Sequence, residues 1–458
     1  MKRIAALILT FAFNLSLAGC ANMSSWFGDG SSDLDAAAIT SAVYPQMAPY
    51  PDEQSYVKSD GTVKDAYYDA YDAWWEDIRA QRDQPQGYAD GLEGFFAESI
   101  KQFLSDSQDQ NKVYSPLNVY MALGMLAEVT DGESRSQVLT LLGINNIEAL
   151  RAQAKAVWNA NYLNDGATTS ILASSLWLNE DINCTKSTLD SLAENYYASS
   201  YQGTMGSENF NKALQSWLNE QTGGLLKEQA SGIEMDDKTI MALATTINFH
   251  AKWHNEFSKS RTEKGTFYTA AGDLNCDFMH QGGTRTYYWG EQFSAVSQSL
   301  ENSGQMWFIL PDEGVSVDDL LQDEQAMNFI VTNKYEWEDS KFLIVNLAVP
   351  KFDVASDLDL ISGLKALGVT DVFDSQTSDF SPMTEDTDEI YLSQAEHAAR
   401  VMIDEEGCTA VAYTAMMAAG SAMPPDEEID FTLDRPFIFV ITGTDGLPLF
   451  VGVVNRPI

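Results

Sequence analysis

Between Gly407 and Ala415 the chain runs Gly-Cys-Thr-Ala-Val-Ala-Tyr-Thr-Ala, and this tract constrains the fold more than any other. A strand sends successive side chains to opposite faces. Cys408, Ala410, Ala412 and Thr414 then share one face, and all are small. Thr409, Val411 and Tyr413 share the other and are larger. A strand entering an existing sheet slides its inner side chains over a packed core, where excess volume costs about 1–3 kcal/mol. One small face meets that demand, and Gly407 offers backbone freedom at the pivot. The acidic pair Glu405-Glu406 precedes the tract. A loop-like stretch, 418–425, follows it, then Asp426-Glu427-Glu428 and the strand-like Arg435-Pro436-Phe437-Ile438-Phe439-Val440. Taken alone, the tract fits an Ala-rich helix or linker equally well.

The beginning of the chain has the form of an export signal. Lys2 and Arg3 precede a run, Ile4 to Phe13, that is almost wholly apolar and too short to span a membrane. Leu17-Ala18-Gly19-Cys20 then resembles the lipobox of bacterial lipoproteins, which implies cleavage before Cys20 and lipid on its sulfur. We divide the chain into a signal peptide (1–19), a lipidated cysteine with a flexible acidic tether (20–87) and a folded domain (88–458). The tether reading rests on Ser, Gly, Pro and acidic residues, which bury little. One stretch departs from it. The aromatics of Tyr67-Tyr68, Tyr71 and Trp74-Trp75 could line one face of a short helix and pack there.

Basic residues number 27 against 67 acidic, a net charge of −40. Such a chain repels phosphate backbones, so nucleic acid is excluded as a partner. The 45% hydrophobic share suffices for a full core. With Cys20 assigned to lipid, Cys184, Cys276 and Cys408 leave an odd number, so no complete disulfide framework exists. A Cys184–Cys276 bridge stays open; Cys408, in a mobile segment, is expected as a free thiol. His250 and His254 are four apart, but Thr245-Thr246-Ile247-Asn248-Phe249 reads as a strand, where that spacing makes no metal clamp. No metalloprotease, nucleophile-elbow, P-loop or dinucleotide pattern occurs. The sequence therefore points to no enzyme, metal or cofactor.

Further motifs follow in order. Asn111 to Leu126 contains Tyr114-Ser115-Pro116, where Ser115 suits a helix cap and Pro116 the first turn. Trp217-Leu218-Asn219-Glu220-Gln221-Thr222-Gly223-Gly224 reads as a helix ending at glycine. Ile247-Asn248-Phe249-His250-Ala251-Lys252-Trp253 follows with Phe257, Thr262 and Phe267. Then come Phe308-Ile309-Leu310-Pro311, Val349-Pro350-Lys351-Phe352, Asp379-Phe380-Ser381, and Phe450-Val451-Gly452-Val453-Val454-Asn455-Arg456-Pro457. In this order, and together with the tract after Glu405, they resemble the serpins across roughly residues 88–458.

The resemblance implies an α+β serpin fold: a mixed central β-sheet with surrounding helices, additional smaller sheets and an exposed reactive-centre loop over about 405–430. It implies an inhibitor that traps a serine protease, or a cysteine protease, as an acyl complex while the cut loop inserts into the central sheet. Glu405, Glu406, Gly407, Cys408, Thr409, Ala410, Val411 and Ala412 become the hinge. Family spacing, with Glu405 seventeenth before the cut, puts the reactive bond at Ser421–Ala422; Met416, Met417 and Met423 are alternatives. A small residue at the cut implies an elastase-like or subtilisin-like target. Trp253 falls at the top of the sheet, where the loop starts to enter. Ser115, Asn118, Thr245 and His397 fall where serpins cluster Ser, Ser, Asn and His to close the gap between two central strands. Asn118 and Thr245 depart from that pattern, as if the amide had changed sides. The competing expectations are a non-inhibitory serpin and a surface binding lipoprotein. Whichever holds, the expected setting is a bacterial cell envelope, with a monomer held by its lipid at the outer membrane or cell surface.

Overall fold

The computed structural model describes Leu34 and residues 37–237, 239–332, 334, 337–386, 390–408 and 427–457. Two multistranded sheets organise it. Towards one end of the nine-stranded sheet lies the hairpin Phe437–Thr442 and Pro448–Val454, in whose strands every residue is buried. Gln305–Pro311 and Lys112–Tyr114 flank the hairpin. These strands are continuous apolar runs because both their faces are covered. Packing against the hairpin, helix Pro116–Glu128 is buried at all but one position, hence its apolar residues all round. The Ser115 side chain caps it by accepting from Asn118 N, and Pro116 occupies the first turn.

The eight-stranded sheet has a central seam. On one side, Ala198–Gly203, Thr169–Asn179 and Met241–Lys252 form a block, the last two antiparallel from Thr169↔His250 to Leu178↔Met241. Thr169–Asn179 and Ala198–Gly203 are parallel, so a crossover helix, Lys186–Asn195, joins them. On the other side, Phe352–Asp359 pairs antiparallel with Glu396–Ile403. Between the blocks lies Gly407–Cys408, which pairs with both. Helix Glu208–Gln221 packs Phe210, Leu214 and Trp217 onto Ala173 and Trp177 of the first block.

The segment expected as a tether is different from about residue 37 onward. Ala38–Thr40 adds a strand to the sheet, antiparallel to Ala198–Gly203, and Ala42 N donates to Ser199 Oγ at 3.1 Å. Tyr44 sits among the rings of Trp158, Tyr162 and Tyr197, with centroids 5.2, 5.9 and 6.3 Å away. The aromatic stretch does form a helix, Asp65–Arg82, which buries Trp74 and Ile78. Trp74 Nε1 donates to Asp165 Oδ2 at 3.0 Å, and Ala48 N donates to Asp77 Oδ2 at 2.7 Å. Average composition concealed these anchors, since a few well-placed aromatics hold an acidic segment whose charges face water.

Cys184 and Cys276 are free thiols, so no bridge joins them. Among the described residues no helix is long and apolar enough to cross a membrane.

Candidate functional site

Strand Glu396–Ile403 reverses at Asp404. The Asp404 carboxylate accepts from Glu406 N at 2.8 Å and Gly407 N at 3.2 Å, the side-chain turn that aspartate favours. Asp404 N donates to Gly407 O at 3.0 Å, and the returning Cys408 pairs with Ile403. The turn therefore delivers Gly407 and Cys408 into the seam, opposite Lys252 and Ala251. Gly407 is required here by close approach rather than by an unusual φ: a Cβ would lie 2.5 Å from Ala251 O and 2.7 Å from Lys252 Cα. Cys408 is a buried thiol outside any disulfide.

Trp253 and an ion pair hold the turn from outside. The Trp253 indole, itself buried, donates to Asp404 O at 2.8 Å; its backbone N donates to Glu406 O at 3.1 Å. Phe257 N donates to Glu405 O at 2.9 Å. Glu405 is buried against Lys351 Nζ at 2.6 Å and accepts from Thr262 Oγ1 at 2.6 Å. Burial pushes its carboxyl up, but the Lys351 and Thr262 hydrogen bonds outweigh this and hold it below the usual carboxylate value. Glu406 pairs with Lys259. Sequence reasoning quoted Lys351 and Thr262 only as parts of motifs and gave them no role. A lone lysine ending a Val-Pro run, set against an acidic pair elsewhere, was the available signal.

Deeper in the seam, the structure brings together three of the four expected cluster residues. Ser115 N donates to His397 Nε2 at 3.0 Å, and Asn118 N to Ser115 Oγ at 3.3 Å. An imidazole nitrogen that accepts is unprotonated. Burial agrees, pushing His397 down to about 4. Asn118 Oδ1 is buried without a partner. Thr245 stands apart: it is half-buried and makes no side-chain hydrogen bond to the other three among the described residues. Its neighbour Thr246 instead lines a channel of about 10 Å³ with Ser115, Asn118 and His397.

Cys20, Thr409, Ala410, Val411, Ala412, Met416, Met417, Ser421, Ala422 and Met423 lie outside the described residues. Beyond the loop the chain resumes at Glu427, paired with Lys341 Nζ at 2.6 Å. Glu428–Thr432 then runs parallel to Ser340–Pro350 in the nine-stranded sheet. The loop thus leaves one sheet at Cys408 and enters the other at Glu428.

Known proteins share this architecture. The human leukocyte elastase inhibitor is 28% identical over 380 residues, covering 79% of this chain and 97% of its own. Serpin-ZX of Arabidopsis thaliana is 25% identical over 369 residues, covering 77% and 93%. The solved structure of the thermophilic serpin tengpin in its native state superposes with a TM-score of 0.72 at 24% identity, covering 82% of this chain and 95% of that one. The family model described as serpin (serine protease inhibitor) matches residues 91–457, so the chain belongs to the serpin family.

Proposed function

We propose that the protein inhibits a serine protease as a suicide substrate. The observation that carries this reading is the seat of Gly407–Cys408, paired with strands on both sides of the seam. A strand begun there extends by continuing the small-faced tract, and each net hydrogen bond gained contributes about 0.5–1.5 kcal/mol. The target's serine oxygen attacks the Ser421 carbonyl, and the Ala422 amine leaves with a proton, so an ester joins the two proteins. Insertion of the freed strand then carries the protease away before water cleaves that ester. The polar His397 cluster closes the seam until then. Small residues around the bond favour an elastase-like or subtilisin-like enzyme. We read residues 1–20 as export signal and lipid attachment, which holds the inhibitor at a cell envelope.

The test is incubation with elastase-, subtilisin-, chymotrypsin- and papain-like proteases. A denaturant-resistant complex, with a released peptide that begins at Ala422, is the expected result. Ser421→Arg should redirect complex formation to trypsin-like enzymes. Loop cleavage across the panel with no complex would replace this reading with a non-inhibitory binder.

A further inference from the structure

The reactive loop returns to the described residues at Glu427, beside strand Ser340–Pro350. Leu343, Val345 and Leu347 of that strand are buried, and Phe431 of the neighbouring Glu428–Thr432 is buried with them. The alternate residues therefore turn to the outer face of the sheet. There Ile344 and Asn346 lie opposite Glu428 and Asp430, while Phe342 and Ile344 lie opposite Thr286 and Thr284 of Gly272–Trp289. Phe342 is 57% exposed, whereas the other described phenylalanines are buried. A lone exposed ring is ordinary on a protein surface; the place of this one is not. Lys341 Nζ pairs with Glu427 at 2.6 Å, and Ile344 N donates to Glu427 O at 3.0 Å. Phe342 thus sits between the two residues that hold the end of the loop. Its flank is acidic. Asn346 Nδ2 donates to Glu428 Oε1 at 2.7 Å and to Asp430 Oδ1 at 2.9 Å, so one amide keeps two carboxylates side by side. The nearby cation, Lys341, is engaged by Glu427.

We propose that Phe342 and Ile344, with Glu428 and Asp430 at their edge, form a second contact surface for the protease that the loop captures, outside its substrate cleft. The proposal rests on the inhibitory reading and the Ser421–Ala422 bond given above. An extended chain covers at most about 3.3–3.6 Å per residue, so that bond lies within roughly 20 Å of Glu427. A standard protein interface takes about 800 Å² from each partner, a disc of roughly 16 Å radius. Centred on the bond, such a disc takes in Phe342 unless the intervening segment is fully stretched. Chemistry fixes the kind of partner. Phe342 and Ile344 offer an apolar spot, whose burial contributes about 25 cal/mol per Å². The carboxylates beside it repel an acidic rim and attract a basic one, in the same sense as the net charge of −40. The fitting target carries an apolar side chain next to lysine or arginine on the rim of its cleft, on the side that receives the residues after the cut. The loop then selects the cleft, and this face selects among proteases whose clefts are alike.

The experiment compares the full chain with Phe342→Ala, Phe342→Thr and the double variant Glu428→Gln/Asp430→Asn against elastase-like proteases of basic and of acidic surface. Each protease is used active, and again with its nucleophilic serine replaced by alanine, so that docking is read without chemistry. Both Phe342 variants should dock the inert basic protease about tenfold more weakly, about 1.4 kcal/mol, and should form complex with the active one more slowly by the same factor. Threonine suits a strand, so Phe342→Thr decides the matter should Phe342→Ala loosen it. The number of inhibitor molecules consumed per protease trapped should stay at the parent's value, because loop insertion takes place in the other sheet. The double variant should lose the preference for the basic protease and flatten the fall in docking rate with added salt. Equal docking and equal rates in the parent and the Phe342 variants would overturn the proposal, as would a change confined to the number consumed. Should the parent dock an inert protease but trap no active one, the inhibitory reading fails while the Phe342 variants still decide the surface. Should it dock none of them, both fall.

Discussion

His397 shows how much one buried side chain can make stability depend on pH. Its ring accepts from Ser115 N only when neutral, and its value of about 4 lies well below that of an exposed histidine, about 6.5. A group depressed in the folded state contributes fully above its unfolded value and loses that contribution as pH falls through the folded one. Stability should therefore drop by roughly 3 kcal/mol between pH 6.5 and 4. Urea midpoints measured across that range should fall, and His397→Gln should flatten the fall. Glu405 acts lower on the scale. Its depressed carboxyl contributes above about pH 4.3 and loses its effect below. Glu405→Gln leaves Lys351 without its partner, and about 1–3 kcal/mol of stability should go with it at pH 7. A urea midpoint equal to the parent's would show that the turn does not depend on that pair. Both groups were within reach of the sequence. His397 fell on a family position, whereas Glu405's partners came from segments 54 and 143 positions away.

At the level of elements, the described part of the hinge ends at Cys408. Strand alternation assigned Cys408 to a small inner face, and it is buried between two strands. The turn that puts it there was not legible, because it depends on the Asp404 carboxylate and on Trp253, 151 residues away in the chain. Thr245 illustrates the limit of register arguments. Strand alternation separates adjacent residues by face, so a channel that crosses the seam meets Thr246 while Thr245 stays out of it. The hinge also yields a sharp prediction. Cys408→Arg would bury an unpaired guanidinium, which costs several kcal/mol. Loop cleavage should then outrun insertion, and the number of inhibitor molecules consumed per protease trapped should rise at least about tenfold. Titration of residual protease activity measures this directly; a ratio equal to the parent's would mean that the hinge does not enter the sheet.

Across the whole molecule, the order of motifs from Ser115 to Pro457 was enough to read an α+β serpin fold with a mixed central sheet and surrounding helices. The seating of the arm, residues 37–88, was not legible in the same way. A helix face of Tyr67, Tyr71 and Trp74 can be read from spacing, but the surface it seats on is made by Asp165 and Leu163, far along the chain. An acidic average hides a few buried anchors when solvent-facing positions carry the charge. Hydrogen exchange separates a seated arm from a tether: the amides of Ala42, Ala48 and Tyr50, each donated to the body or within the arm, should exchange slowly. Rapid exchange at all three would return residues 37–88 to the status of a linker.

The burial of Cys408 has one more consequence. Cys184 and Cys276 are half-buried thiols at the periphery, whereas Cys408 is shut inside the sheet at the point where the loop begins. In a Cys20→Ser variant, a thiol-reactive dye should label the first two promptly and reach Cys408 only when the hinge swings out. The protein thus contains its own chemical clock, and the slow phase of labelling counts, without any engineered probe, how often the loop leaves its doorway.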